Sequence, residues 1–294
     1  MNFEERNLYT RIWTVENPIA ILQITHGMTE HIERYDKLAN ELNKRGIIVA
    51  GYDLRGHGHN STSSVATLGE NGWDDSLEDI HYFHKYLKNK YSDLPHFILG
   101  FSLGSFLVRE YLNKYNDKLN GVIIMGTGQQ PSFILSIIMK IVKGQINKSG
   151  FNNTTDLVKK LSFDTYNDKF KPNKTKFDWL CSDENELTKY KNDPLCKESI
   201  SSGLFYQLLN SMKYTSKAYD NWDKNLPILL ISGDEDPVGD FKKGVYLVEK
   251  EMKKHINNVT LKLYKGRHDI LHEEVNQTAE QVRSIIGEFV VNYL

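Results

Sequence analysis

A chain of 294 residues, 39% hydrophobic and 26% charged, has the composition of an ordinary globular protein and length for one large domain or two small ones. Its 37 Lys and Arg nearly cancel its 38 Asp and Glu, which argues against a nucleic-acid partner and supplies no polybasic anchor for an anionic membrane. No apolar run approaches the roughly 20 residues of a spanning helix, and the opening Met-Asn-Phe-Glu-Glu-Arg lacks the basic-then-apolar pattern of a signal peptide.

The expectation is therefore a cytoplasmic protein that makes at most transient contact with a membrane surface, of unknown oligomeric state. Ile19-Ala-Ile-Leu-Gln-Ile-Thr25 reads as a buried strand, and it ends in the loop His26-Gly-Met-Thr-Glu-His31. Residues 35–45 carry helical periodicity that Gly46 can terminate. The near-continuous apolar run Ile47-Ile-Val-Ala-Gly-Tyr52 predicts a strand covered on both faces. After the loop Asp53-Leu-Arg-Gly-His-Gly58, residues 76–90 predict a helix whose apolar side is Leu77, Ile80, Tyr82, Phe83, Tyr86 and Leu87.

The most informative five residues follow the strand-like His96-Phe-Ile-Leu99. Gly100-Phe-Ser-Leu-Gly104 has the G-x-S-x-G pattern of a nucleophile elbow, in which a serine occupies a sharp strand-to-helix turn and the glycines leave room for it. Such a turn exposes the Ser102 hydroxyl and aims the N–H of Leu103 at a developing oxyanion. Met28, in the loop after the first buried strand, can offer a second N–H.

Helical and strand patterns continue through residues 105–112 and Val122-Ile-Ile-Met125, and then the alternation stops. Residues 127–221 read as a helical cap inserted between a first core part, 1–126, and a second, 222–294. Phe133, Ile134, Ile137, Ile138 and Ile141, with Val142, form a broad helical stripe over residues 131–148; most of it is expected to pack on the core, and its exposed end to roof an apolar slot. Residues 147–155, rich in Asn, Ser, Gly and Thr, suggest a flexible link, and Phe205, Tyr206, Leu208, Leu209 and Met212 offer a second apolar face. Cys181 and Cys196 lie in this insertion without zinc-binding spacing and read as free thiols.

The strand-like Pro227-Ile-Leu-Leu-Ile-Ser232 leads into Gly233-Asp-Glu-Asp-Pro237, and Val259-Thr-Leu-Lys-Leu-Tyr264 into Lys265-Gly-Arg-His-Asp269. The acid loop offers Asp234, Asp236 and Asp240. His268 lies just past its strand, whereas His272 falls one helical turn later. Serine, aspartate and histidine in that order, each beyond a strand's carboxyl end, supply a nucleophile, an imidazole to take its proton and a carboxylate to fix the imidazole. Residues 280–294 carry a final helical stripe. His26, His31, His57 and His59 sit on glycine-rich loops without ligand spacing, so no metal is expected, and neither a Walker nor a dinucleotide pattern is present.

These motifs together resemble the monoglyceride lipase and lysophospholipase branch of the α/β-hydrolase superfamily, the serine aminopeptidase-like hydrolases. His26-Gly-Met-Thr-Glu-His31 with Arg34-Tyr35, Asp53-Leu-Arg-Gly-His-Gly58, the elbow, Asp236-Pro-Val-Gly239 and Arg267-His268 with Glu273 carry the likeness, and Phe177-Asp-Trp-Leu180 with Asp193-Pro-Leu-Cys196 resembles the cap of bacterial members. The resemblance implies an α/β-hydrolase fold, a mostly parallel sheet flanked by helices, and places the acid at Asp236. It also implies a cofactor-free serine hydrolase of a small acyl ester, a monoacylglycerol or lysophospholipid, acting through an acyl-enzyme. An esterase or thioesterase for short or aromatic acyl groups would use the same residues, and a non-catalytic ligand-binding member is the rival of another class. The lead-in at residues 8–15 is short for this fold, so the first strand of a full sheet is expected to be missing or reduced.

Overall fold

The computed structural model describes residues 3–294. A 3-10 turn at Phe3–Arg6 precedes the edge strand β1 (Thr10–Trp13), which runs antiparallel to β3 (Ile47–Tyr52); β3 in turn pairs in parallel with β2 (Ala20–Thr25). Among the described residues no strand lies outside β1, so the sheet opens with one short strand, in keeping with the brief lead-in. Phe3 closes this end by packing its ring 4.7 Å from that of Phe83.

Between β2 and β3 lies α1 (Asp36–Asn43), ended by Gly46 at φ +77°. A two-residue strand β4 (Val65–Ala66) and α2 (Gly72–Lys90) lead to β5 (His96–Phe101). Helix α2 begins at Gly72, upstream of the expected residue 76, because the Ser76 hydroxyl donates back to the Gly72 carbonyl at 2.6 Å inside the first turn instead of capping it. Helix α3 (Leu103–Lys114) and β6 (Gly121–Met125) complete the first half.

The insertion then contributes α4 (Ser132–Ser149), α5 (Asp156–Lys159), α6 (Thr165–Asn167), α7 (Glu184–Asn192), the two-residue β7 (Ser199–Ile200) and α8 (Ser202–Thr215). The chain returns to the sheet as β8 (Ile228–Gly233), α9 (Lys243–Met252), β9 (Val259–Tyr264) and α10 (Thr278–Asn292). Sheet order is β1-β3-β2-β5-β6-β8-β9, parallel throughout apart from β1.

Every residue of β2, β3, β5, β6 and β8 is buried, as apolar runs with helices on both faces require. Alternation sorts them: Ile48, Ala50 and Tyr52 join a core with α2, α3 and α9, while Ile47 and Val49 join one with α1 and α10. The second apolar face of the insertion, on α8, is absorbed into the first of these cores through Phe205, Leu208, Leu209 and Met212. The stripe of α4 divides. Leu135 and Val142 are buried, Ile134 and Ile138 half-buried, and Phe133, Ile137 and Ile141 exposed at 68%, 56% and 41%. Helix α4 extends to Ser149, and the link after it is tied down: Ser202 and Gly203 donate to the carbonyls of Asn153 and Phe151 at 2.8 and 2.9 Å. Strands β4 and β7 pair in parallel and stitch the insertion to the loop after β3.

Candidate active site

The loops at the carboxyl ends of β2, β5, β8 and β9 converge on Ser102. This residue joins β5 to α3 with φ 50° and ψ −116°, a strained conformation for a residue with a side chain. Its neighbours explain the two glycines. A Cβ on Gly100 would lie 2.4 Å from the Gly104 carbonyl oxygen, and one on Gly104 would lie 2.0 Å from that of Thr25. The Ser102 N–H donates to the Met125 carbonyl at 2.9 Å, locking the elbow to β6.

His268 reaches Ser102 Oγ with Nε2 at 2.9 Å and Asp236 Oδ1 with Nδ1 at 2.9 Å. Asp236 is fully buried and His268 nearly so. Charge dictates the tautomer: Nδ1–H donates to the carboxylate, which leaves the Nε2 lone pair to accept from the serine hydroxyl. Asp236 Oδ1 also accepts the Val238 N–H at 2.8 Å, so the acid is aimed by its own loop. Asp234 is turned elsewhere, accepting the Gly266 N–H at 3.2 Å. His272 is likewise diverted: Nδ1 lies 2.8 Å from Asp269 and Nε2 3.1 Å from the Arg34 carbonyl.

Leu103 opens α3, so its N–H belongs to the unpaired first turn of a helix directly beside the hydroxyl. Met28 lies in the facing loop, which is rigidly held. Glu30 accepts from the Gly27 N–H at 2.7 Å, the Tyr35 hydroxyl at 2.9 Å and Arg34 Nε at 3.1 Å. Arg34 also donates to Asp269 at 2.5 Å, so the Met28 loop and the His268 loop share one buried ion-pair network. Burial alone would raise the Asp269 carboxyl, but His272 and Arg34 hold it well below the ordinary carboxylate range.

Of the remaining loop histidines, His26 and His57 are fully buried. His26 Nε2 accepts the Leu54 N–H at 2.8 Å, and Asp53 accepts from the N–H groups of Ile32 and His59 at 2.7 Å each. Burial pushes both His26 and His57 down to about 4, so both rings are neutral near pH 7.

The cavity over Ser102 is small, about 10 Å³, and is lined by Met28, Glu30, Phe101, Trp179, Leu180, Tyr190, His268 and Asp269 besides the serine. That is room for about one water. None of Phe133, Ile134, Ile137, Ile138 and Ile141 is among its lining residues. Trp179 instead stacks on the His268 ring with centroids 5.2 Å apart, and the Phe101 ring lies 5.1 Å from the same imidazole. The segment is fastened by its backbone, since the N–H groups of His268 and Asp269 donate to the Trp179 and Leu180 carbonyls at 3.4 and 2.6 Å. The motif Phe177-Asp-Trp-Leu180 had marked this segment, but nothing local in sequence says that its indole covers the imidazole.

Hydroxyl, imidazole and carboxylate in line, with helix-terminal N–H groups beside them, are competent for nucleophilic acyl transfer without a metal or cofactor. Residues 16–275 match the family described as serine aminopeptidase, S33 (Hydrolase_4). Monoglyceride lipase of Mus musculus is 25% identical over 99% of this chain and 88% of its own length. A monoglyceride lipase homolog of Monkeypox virus is 24% identical, covering 99% of this chain and 96% of that protein. Among solved structures, a thermostable carboxyl esterase from Bacillus coagulans, in complex with glycerol, superposes with a TM-score of 0.88 at 27% identity, over 97% of this chain and 93% of that one.

Proposed function

Because this chain belongs to the serine aminopeptidase, S33 family of α/β-hydrolases, we propose that it hydrolyses carboxylic esters of the monoacylglycerol or lysophospholipid class. The observation that carries the reading is the buried relay from Ser102 Oγ through His268 to Asp236, 2.9 Å at each step.

In this mechanism Ser102 Oγ forms a bond to the acyl carbon while its proton passes to His268 Nε2. The carbonyl oxygen takes up the electron pair and is held by the N–H groups of Met28 and Leu103. The intermediate collapses by breaking the bond to the alcohol oxygen, which leaves with the proton from His268. Water then repeats the sequence, adding its hydroxyl to the acyl carbon and releasing the fatty acid from Ser102. Asp236 keeps Nδ1 protonated throughout.

We divide the chain into core, 1–126, cap, 127–221, and core, 222–294, and assign the acyl chain to the cap stripe through half-buried Ile134 and Ile138. Phe133, Ile137 and Ile141 form an exposed ridge on a helix that carries Lys140, Lys143 and Lys148 and no acidic residue. Such a face suits transient contact with the lipid surface from which these substrates come. No helix among the described residues is long and apolar enough to cross a membrane. Two unpaired thiols, Cys181 and Cys196, suit a reducing compartment, and we place the protein in the cytoplasm.

One observation favours a second reading, an esterase for small acyl groups: no stripe residue lines the 10 Å³ cavity over the serine. Hydrolysis of monoacylglycerols and p-nitrophenyl esters of graded chain length separates the two. Ser102→Ala tests both, with an expected loss on the order of 10⁴ to 10⁶ in turnover and no labelling by a fluorophosphonate. A variant that keeps a tenth of its activity overturns the assignment of the nucleophile.

A further inference from the structure

The cap meets the Met28 loop again at a cluster the ester chemistry does not use. A ring nitrogen of His31, a carboxylate oxygen of Asp193 and Cys196 Sγ all lie within 4.8 Å of one another. His31 Nε2 is 2.8 Å from Asp193 Oδ2, although the two residues are 162 apart in sequence. Both sides are anchored. The Cys196 N–H donates to the Asp193 carbonyl at 3.1 Å, which brings both side chains onto one turn stiffened by Pro194, and Asp193 Oδ1 accepts the Leu195 N–H at 2.9 Å. The next N–H, of Lys197, donates to the Thr29 carbonyl at 2.9 Å and pins that turn to the loop carrying His31. His31 is 4% exposed, and its Nδ1 is buried with no hydrogen-bond partner. His31 and Asp193 also line an open cavity of about 310 Å³, which gives an ion a path in from solvent.

We propose that His31, Asp193 and Cys196 form a binding site for one zinc-class divalent cation, with water as the fourth ligand. Imidazole, carboxylate and thiolate are the donors such a cation takes, at about 2.0–2.3 Å in a tetrahedron, which sets neighbouring donor atoms roughly 3–4 Å apart. To meet that spacing Cys196 Sγ needs to close by at most about 1 Å, while His31 Nε2 and Asp193 Oδ2, now 2.8 Å apart, part by about 0.5 Å. Calcium and magnesium are excluded by the donor set, because they require oxygen ligands, about six or more, and no thiolate. On binding, the Cys196 thiol gives its proton to solvent and its sulfur shares a lone pair with the metal. The ion then replaces the His31–Asp193 hydrogen bond, and the two anionic ligands balance its double charge.

Such an ion cross-links the loop of Met28 to the cap segment following Tyr190, and Met28 and Tyr190 both line the cavity over Ser102. It therefore clasps the cap closed and slows substrate access. This consequence rests on the ester-hydrolase reading; the site itself does not.

The test is titration of the full chain with Zn²⁺ against a chromophoric chelator, together with the absorption spectrum of the Co²⁺ form. The expected result is one equivalent bound, a thiolate-to-cobalt charge-transfer band and the intense visible bands of four-coordinate cobalt. Cys196→Ser should lose the charge-transfer band and weaken zinc binding at least about 100-fold, whereas Cys181→Ser should retain both. Absence of the band, or equal binding by wild type, Cys196→Ser and Asp193→Asn, means adventitious histidine binding and overturns the site. In the activity arm, zinc should slow ester hydrolysis by wild type and spare Cys196→Ser. Stoichiometric binding with no difference between them refutes the clasp. Because the binding readouts need no turnover, failure of the site and failure of the hydrolase assignment are distinguishable.

Discussion

Trp179→Ala is the most searching substitution this structure offers, because one indole contributes to stability and obstructs access at once. The residue is 4% exposed; its ring stacks on Phe163 at 5.5 Å and on His268 at 5.2 Å and meets Tyr166 at a tilt, 5.4 Å away. Truncating a buried aromatic residue to alanine costs about 3–5 kcal/mol. Part of this is offset, since the indole Nε1 is buried without a partner, a defect of about 1 kcal/mol or more that the variant relieves. A net loss of about 3 kcal/mol lowers Tm by roughly 6 °C at about 2 °C per kcal/mol for a domain of this size class.

Activity should move the other way. Aromatic stacking of the cap on His268 holds the cavity shut by about 0.5–1.5 kcal/mol beyond area burial. Removing it raises the open population, and with it kcat/KM for a monoacylglycerol, by roughly 2–10-fold at about 1.4 kcal/mol per factor of ten. Differential scanning calorimetry and initial rates below the new Tm measure both. A stable variant with kcat/KM depressed equally for every ester would refute the reasoning, because the indole would then serve the chemistry instead of obstructing access to it.

Other outcomes follow from the same geometry. Asp236→Asn should cost about 10⁴ in kcat by analogy with other triad carboxylates, while Asp234→Asn, whose carboxylate meets Gly266 and not the imidazole, should stay within a few-fold of wild type; steady-state rates that reverse this order displace the acid. Ile138→Lys should lower kcat/KM for a lauroyl ester by about tenfold and leave a butyryl ester nearly unchanged, since each methylene taken from water is worth roughly 0.8 kcal/mol; equal effects on both would remove the stripe from the acyl site. Burial pushes His26, His57 and His84 down to about 4, so below the unfolded value of about 6.5 the unfolded chain binds protons that the native one refuses. Stability is thus complete above that pH and falls on acidification toward 4, by up to about 1.4 kcal/mol per pH unit for each ring. Urea melts from pH 7 to 4.5 measure the slope, and a flat profile would contradict the neutral, buried assignment.

Much of this was legible in the chain itself, for identifiable reasons. Ile47–Tyr52 reads as a strand because a strand covered on both faces has nothing polar to interrupt it. The relay is legible because strain at Ser102 leaves a glycine signature on either side, and because aspartate and histidine must follow strand ends to reach it. Periodicity on α4 identifies an apolar side but not its neighbour: Val142 is buried while Ile141, the adjacent residue, is exposed. The meeting of His31 with Asp193 left no local trace, since it depends on where an insertion folds back over a distance of 162 residues. Trp179 lay within a recognised motif, but its role as a cover exists only once α5, α6 and the turn before α7 are in place.

Every member of the relay comes from core loops, whereas Trp179, Leu180 and Tyr190 in the cavity wall come from the insertion. The insertion leaves the sheet after β6 and returns at β8, and those two strands still pair directly, Val122 with Ile228 through Met125 with Ile231. Selection can therefore act on admission and on bond-breaking as nearly separate traits. Changes in the inserted helices can retarget the protein to a new acyl group without disturbing the triad beneath. The same separation gives an engineer a place to exchange: a foreign cap grafted between β6 and β8 has to satisfy the fit over His268 and the β4–β7 pair, but it need not rebuild the nucleophile.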